Sequence, residues 1–179
     1  MRTTARRLCG GGGKIVATGI IIAFTASCAA THADTAPITV PAEYATPITS
    51  AARTCADEAG GTHISPEFLA AQLWANSGFD PNAHTTAASG PAQLTEANET
   101  LLRDVDGNGT ASAYDIADAI DALAALDCRV SSTLAAASIP TTPENIAATI
   151  NGGLEYRESA HAQQYAATVA ATSTQISLT

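Results

Sequence analysis

Apolar residues recur at helical spacing along most of this chain. The sharpest case lies between residues 64 and 83, where Leu69 and Leu73 fall one turn apart. Ser65 suits an N-cap, Pro66 the first helical position and Glu67 the positive helix end, while Ile64 is placed to staple onto Leu69. Gly78 suits a left-handed C-terminal turn, and Pro81 prevents continuation. Asn76 therefore falls at the helix end, where a cleft can open. Further helices are expected from Pro47 to about residue 59, closed by Gly60-Gly61, and over 92–103 with Leu94, Leu101 and Leu102 apolar. An amphipathic helix follows from Asp115 to about Ser131. Ile116, Ile120, Leu123 and either Ala124 or Leu126 line one face, with Asp118 and Asp121 turned to solvent. Two short helices fill 132–151, broken at Ile139-Pro140, the second capped by Thr142 and ended by Gly152-Gly153. A last helix runs from Glu155 to about Ala171. The polar stretch His84–Ser89 reads as flexible, and the tail from Thr172 as frayed.

Composition narrows this to an all-α chain with a modest core. Hydrophobic residues make up 46% of the 179 residues but aromatics only 4%, so small aliphatic side chains must fill the interior. The first 27 residues read as an export signal, with a basic start and an apolar run from Ile15 to Phe24 too short to span a bilayer. Thr25-Ala26-Ser27-Cys28 resembles a bacterial lipobox, which makes Cys28 the expected lipidation site; cleavage nearby with plain secretion is the alternative. Either outcome places the protein outside the cytoplasmic membrane. Residues 28–46, rich in Ala, Thr and Pro, read as a flexible tether, 47–171 as the folded domain and 172–179 as a tail. The formal charge is −9. Loss of the leader removes Arg2, Arg6, Arg7 and Lys14 and makes the remainder still more acidic, which excludes a nucleic-acid footprint. With Cys9 in the leader and Cys28 lipidated, Cys55 and Cys128 are left to pair as one disulfide in an oxidising compartment, two buried thiols being the alternative.

Residues 104–115, Asp-Val-Asp-Gly-Asn-Gly-Thr-Ala-Ser-Ala-Tyr-Asp, have the spacing of a twelve-residue calcium loop. Oxygen donors fall at Asp104, Asp106, Asn108, Ser112 and Asp115, with the Thr110 carbonyl at position seven and Gly109 at the sharp turn. Ca²⁺ requires such hard donors, and it would be a structural ion here. Asp in place of Glu at the last position weakens bidentate reach. The alternative is an Asp/Gly/Asn turn that only caps the following helix.

Three segments carry a resemblance. Ser77-Gly78-Phe79, Asp80-Pro81-Asn82-Ala83 and Gly90-Pro91-Ala92-Gln93 together resemble the lytic transglycosylase and goose-type lysozyme family over roughly residues 50–170. The resemblance implies a lysozyme-like helical domain acting on peptidoglycan, with Ser77, Gln93 and Tyr165 near the sugar. A half-buried core tyrosine is the alternative for Tyr165, and a solvated helix-start glutamine for Gln93. The family's catalytic Glu falls on Asn76, which has no titratable proton in the working range. The family's Ala-Tyr-Asn-Ala-Gly segment is replaced by Ala136-Ala137-Ser138-Ile139-Pro140. A missing general acid typically costs about 10²–10⁴-fold in rate. Two readings follow. One is a non-cleaving envelope lipoprotein that binds peptidoglycan or a wall-associated protein partner. The other is an active peptidoglycan-cleaving enzyme with a displaced acid, for which Asp80, Glu96 and Glu99 are the candidates.

Overall fold

The computed structural model describes residues 36–54 and 64–178. In chain order these form β1 (Ile38–Thr39), α1 (Ala42–Ala51), α2 (Pro66–Ser77), β2 (Ala88–Ser89), β3 (Leu94–Thr95), α3 (Glu96–Glu99), α4 (Ile116–Ala136), α5 (Pro143–Tyr156), α6 (Ala160–Ser173) and β4 (Ile176–Ser177). The fold is mostly helical, as the patterning predicts, with two short strand pairs added. None of the described helices is long and apolar enough to cross a membrane. The leader, Cys28 and Cys55 lie outside the described residues.

The α2 helix sits at the centre. Its ends form as its residues dictate: Ser65 Oγ accepts the Phe68 amide at 3.1 Å, and Gly78 takes the left-handed conformation at φ 64°. Six consecutive residues, Phe68 to Leu73, are buried, so the first half of the helix has no solvated face. It packs against α1, α4, α6 and β4. Ala70 and Ala71 make this possible, because small side chains let neighbouring elements approach from more than one side. Tyr44 on α1 locks the exit of α2. Its hydroxyl donates to the Phe79 carbonyl at 2.8 Å, and its ring meets Phe79 edge-on with centroids 5.3 Å apart. Burial, with the nearby Glu43 and Asp80, pushes the Tyr44 phenol up to about 12.

Several boundaries differ from the sequence expectation. The first helix begins at Ala42, not Pro47, so folded structure starts inside the stretch expected as tether. Tyr44, Ile48 and Ala51 form a buried i, i+4, i+7 stripe, and their burial outweighs the backbone bond lost at the internal Pro47. The tail does not fray. Ile176–Ser177 pairs in parallel with Ile38–Thr39, with Ile38 N donating to Gln175 O at 2.8 Å. Residues 92–103 form a strand and a four-residue helix instead of one helix, because Leu94–Thr95 pairs antiparallel with Ala88–Ser89. That pairing, with Thr85 Oγ1 accepting the amides of Ala87 and Ala88, also orders the stretch expected to be flexible. The α4 helix runs on to Ala136, absorbing the first of the two short helices expected after it. Gly152-Gly153 does not end α5; the chain kinks at Gly153 (φ 75°) and resumes helix to Tyr156.

Asp118 and Asp121, expected on the solvated face of α4, are both buried. Asp118 accepts the Val105 and Ser112 amides at 2.9 and 3.0 Å, and Asp121 takes a forked pair from Arg103. The loop preceding α4 folds back over this face, and periodicity carries no record of a loop's path. Cys128 on α4 is disulfide-bonded.

The Tyr44→Phe variant keeps the ring contact but leaves the Phe79 carbonyl without its donor. It is expected to lose about 1–2 kcal/mol of stability, read as a lowered urea midpoint at unchanged slope.

Candidate functional site

The end of α2 is joined to two distant segments through one side chain. Asn76 Nδ2 donates to the Ala92 carbonyl at 2.9 Å, and its Oδ1 accepts the Tyr165 hydroxyl at 2.9 Å. An amide suits this place because it carries a donor and an acceptor on one planar group. The first bond holds the turn between β2 and β3; the second holds α6. Asn76 and Tyr165 are both part-exposed, so the cluster reaches the surface. Tyr165 is thus brought to the position where the sequence resemblance assigns the acid.

Gln93 adjoins the cluster through its chain neighbour Ala92. Its backbone is left-handed (φ 51°), and both its amide and its Nε2 donate to the Gly90 carbonyl, at 3.0 and 2.9 Å. Phe79, three residues beyond Asn76, is left-handed as well (φ 66°). Two non-glycine residues in this sparsely populated region flank the cluster, and such outliers persist only where their surroundings over-determine them. Here the surroundings are the Tyr44 clamp on one side and the paired Gly90 bonds on the other. Ser77 is not turned toward the cluster's partners: its hydroxyl donates back to the Leu73 carbonyl at 3.1 Å.

Gly90 is required by space as well as by its φ of 73°. A Cβ there would lie 1.6 Å from the Ala113 carbonyl oxygen. This contact lays the site's turn directly on the end of the 104–115 loop. Tyr114 and His84 join the same two segments through a 3.2 Å contact between the phenol oxygen and Nδ1. Tyr114 (45% exposed) and Trp74 (39% exposed) leave aromatic surface open to solvent on this half of the chain.

Beneath Asn76, one turn back on α2, Gln72 Nε2 donates to Asp127 Oδ1 on α4 at 3.0 Å, and both residues are fully buried. Burial pushes the Asp127 carboxyl up to about 8, against a smaller opposing effect of the Gln72 bond. Burial, and then the Asp127 carboxyl, raise the Tyr165 phenol above its ordinary value. Sequence reasoning missed Gln72 and Asp127 altogether. The available signal was two amides, Gln72 and Asn76, at i, i+4 on an otherwise apolar helix.

The carboxyls considered as a displaced acid are elsewhere engaged or open to solvent. Asp80 Oδ1 accepts the Asn82 amide at 2.9 Å in an Asx turn, and Glu96 and Glu99 are exposed on α3. A cavity of about 350 Å³ opens against α1, lined by Thr46, Ser50, Val105, Ala117 and Asp121 among others. None of the residues expected to bind sugar or calcium lines it.

In the 104–115 loop Asp104 accepts the Gly107, Asn108 and Gly109 amides at 2.8–3.0 Å. The Gly109 amide, with those of Gly107 and Asn108, holds its carboxyl below the usual range. Asp115 caps α4 by accepting the Ala117 and Asp118 amides, with its second oxygen facing Asn108 Nδ2 at 3.2 Å. Thr110 donates its amide to Asn108 Oδ1, and Ser112 Oγ accepts the Tyr114 amide. Asp104 and Asp106 have carboxylate oxygens within 4.8 Å of one another and of Asp118, three residues beyond the expected last ligand.

Gly90→Ala adds a Cβ against backbone and forces a left-handed alanine. It is expected to cost about 2–4 kcal/mol, measured by urea unfolding, with the loss concentrated in hydrogen-exchange protection of residues 83–95.

Compared with known proteins, the chain matches no family model, no curated protein and no solved structure.

Proposed function

We propose that the Asn76–Tyr165–Ala92 cluster is a glycan-binding site of a lysozyme-like domain that holds peptidoglycan without cutting it. The observation that carries this reading is the state of Asn76 itself. Both ends of its amide are engaged in bonds between elements, so the residue in the acid's position acts as a strut. A general acid needs a proton with a pKa near working pH, and an amide has none. The left-handed Phe79 and Gln93 support the reading, since backbone outliers concentrate where ligands are held. Exposed Trp74 and Tyr114 supply the apolar faces on which sugar rings stack. The basic, then apolar leader and the lipobox-like Cys28 support an exported domain, anchored by acyl chains at the outer face of the cytoplasmic membrane or secreted.

The same proposal includes a structural calcium ion in the 104–115 loop. Asp104, Asp106 and the buried Asp118 are hard oxygen donors with three negative charges close together, which suits Ca²⁺. Asp118 takes the place that spacing alone gave to Asp115, whose carboxylate caps α4. An ion there would brace the segment on which Gly90 rests.

Retention on insoluble peptidoglycan, together with analysis of released muropeptides, tests the first reading. The unmodified protein is expected to be retained and to release nothing. Tyr165→Phe loses one hydrogen bond of the cluster and is expected to bind about 5–10-fold more weakly. Asn76→Glu restores a carboxyl and is expected to raise release by about 10²-fold or more over background. Release of 1,6-anhydro products by the unmodified protein would overturn the reading in favour of a displaced acid. For the ion, calorimetric titration with Ca²⁺ is expected to show one site whose occupancy raises the thermal midpoint, and Asp104→Asn is expected to abolish both effects.

A further inference from the structure

Three carboxyls of α4 are buried, and two of them are fully accounted for: Asp118 accepts two amides and Asp121 pairs with Arg103. Asp127 differs. Among the described residues it has no cation, and its only side-chain hydrogen bond there is the one from Gln72 to Oδ1. Asp127 Oδ2 and Gln72 Oε1, the remaining oxygens of the two groups, are both buried without a partner among the described residues. With Asp127 as a carboxylate, both of these oxygens are acceptors, so neither can satisfy the other. A single proton on Oδ2 turns it into a donor, which is what Gln72 Oε1 lacks. A carboxylic acid facing an amide can then pair through both edges, of which the Nε2–Oδ1 bond is one.

We infer that Asp127 and Gln72 form a neutral carboxylic acid–amide pair that acts as a pH-sensitive latch between α4 and α2. Loss of the proton leaves a bare charge in the dry interior and breaks the fit of the two groups. Among the described residues, the groups on the elements packed around the pair are engaged, uncharged or exposed. From α6 the facing group is the Tyr165 phenol, which can donate but is already bound to Asn76. From α2 it is the uncharged Gln72. On α1, α3 and α5, which also pack on α4, the acids Glu43, Glu96, Glu99, Glu144 and Glu155 are exposed, and Arg157 at the end of α5 pairs with Glu158. On α4 itself Arg129 is exposed, and Asp118 and Asp121 are engaged at the other end of the helix. Burial acts in the same direction, holding the Asp127 proton to about pH 8.

The sign of the effect follows from linkage. The folded protein holds this proton to a higher pH than the unfolded chain, whose Asp titrates near 4. The stability the pair supplies is therefore complete below about pH 4 and is lost as pH rises toward 8. Gln72 lies one turn from Asn76, so the loosened helix is the one that carries the proposed glycan site. The latch itself does not depend on the glycan reading; only this consequence rests on it.

Infrared spectra of the full chain from pH 5 to 9 test the latch without any substitution. A protonated carboxyl C=O band is expected at pH 6, fading with a midpoint near 8. The companion measurement is the thermal midpoint against pH for the wild type and Asp127→Asn, whose amide keeps shape without a titrating proton. The wild type is expected to lose stability relative to the variant from pH 4 to about 8, after which the difference levels off. Absence of the band at pH 6, or parallel pH curves for the two proteins, would overturn the latch. Peptidoglycan retention is scored separately: its absence at every pH counts against the glycan site alone, while the band and the stability curves still decide the latch.

Discussion

One amide, Asn76, makes contact with segments 16 and 89 residues away, through the Ala92 carbonyl and the Tyr165 hydroxyl. The geometry of the candidate site depends on these two bonds and on the helix that aims them. That helix, α2, is buried around its first half and stopped by left-handed residues at Gly78 and Phe79. A helix without a solvated face cannot slide or rotate without disturbing several neighbours at once. Its last turn is therefore a rigid mount, and Tyr44 fixes the chain where it leaves.

The second organising feature is where the acidic side chains go. The chain is strongly acidic, yet three carboxyls enter the interior along a single helix. Each is handled by different chemistry: backbone amides for Asp118, a guanidinium for Asp121 and a side-chain amide for Asp127. The first two carboxyls fasten the 103–112 segment to α4, and that segment in turn supports the turn at Gly90 through the Ala113 carbonyl. The third joins α4 to α2 directly beneath the site. Acidic residues thus serve here as fasteners as much as solubilising groups, and the site is positioned by polar contacts layered on an alanine-rich core.

Much of the helical framework was legible from local signals. Ser65, Pro66 and Gly78 predicted the ends of α2, and Thr142 the start of α5, because caps act over three or four residues. Pairings between remote segments were not legible. Ile176 looked like part of a fraying tail and Ile38 like tether, since two-residue strands gain meaning only from each other. Asp118 and Asp121 looked solvated because periodicity reports a helix face but not the loop that covers it.

Residue chemistry and spacing alone determined that Asn76 ends a helix, that it brings no acid, and that an Asp-rich loop precedes a long amphipathic helix. Tertiary structure decided what Asn76 touches, that the Asp118 carboxylate lies close to those of Asp104 and Asp106, and that Gln72 meets Asp127 in the interior. The physical reason is range. Caps, turns and helical stripes are set by neighbours within a turn or two, whereas the partners of a buried polar group are whatever the packing of distant elements brings within about 3 Å.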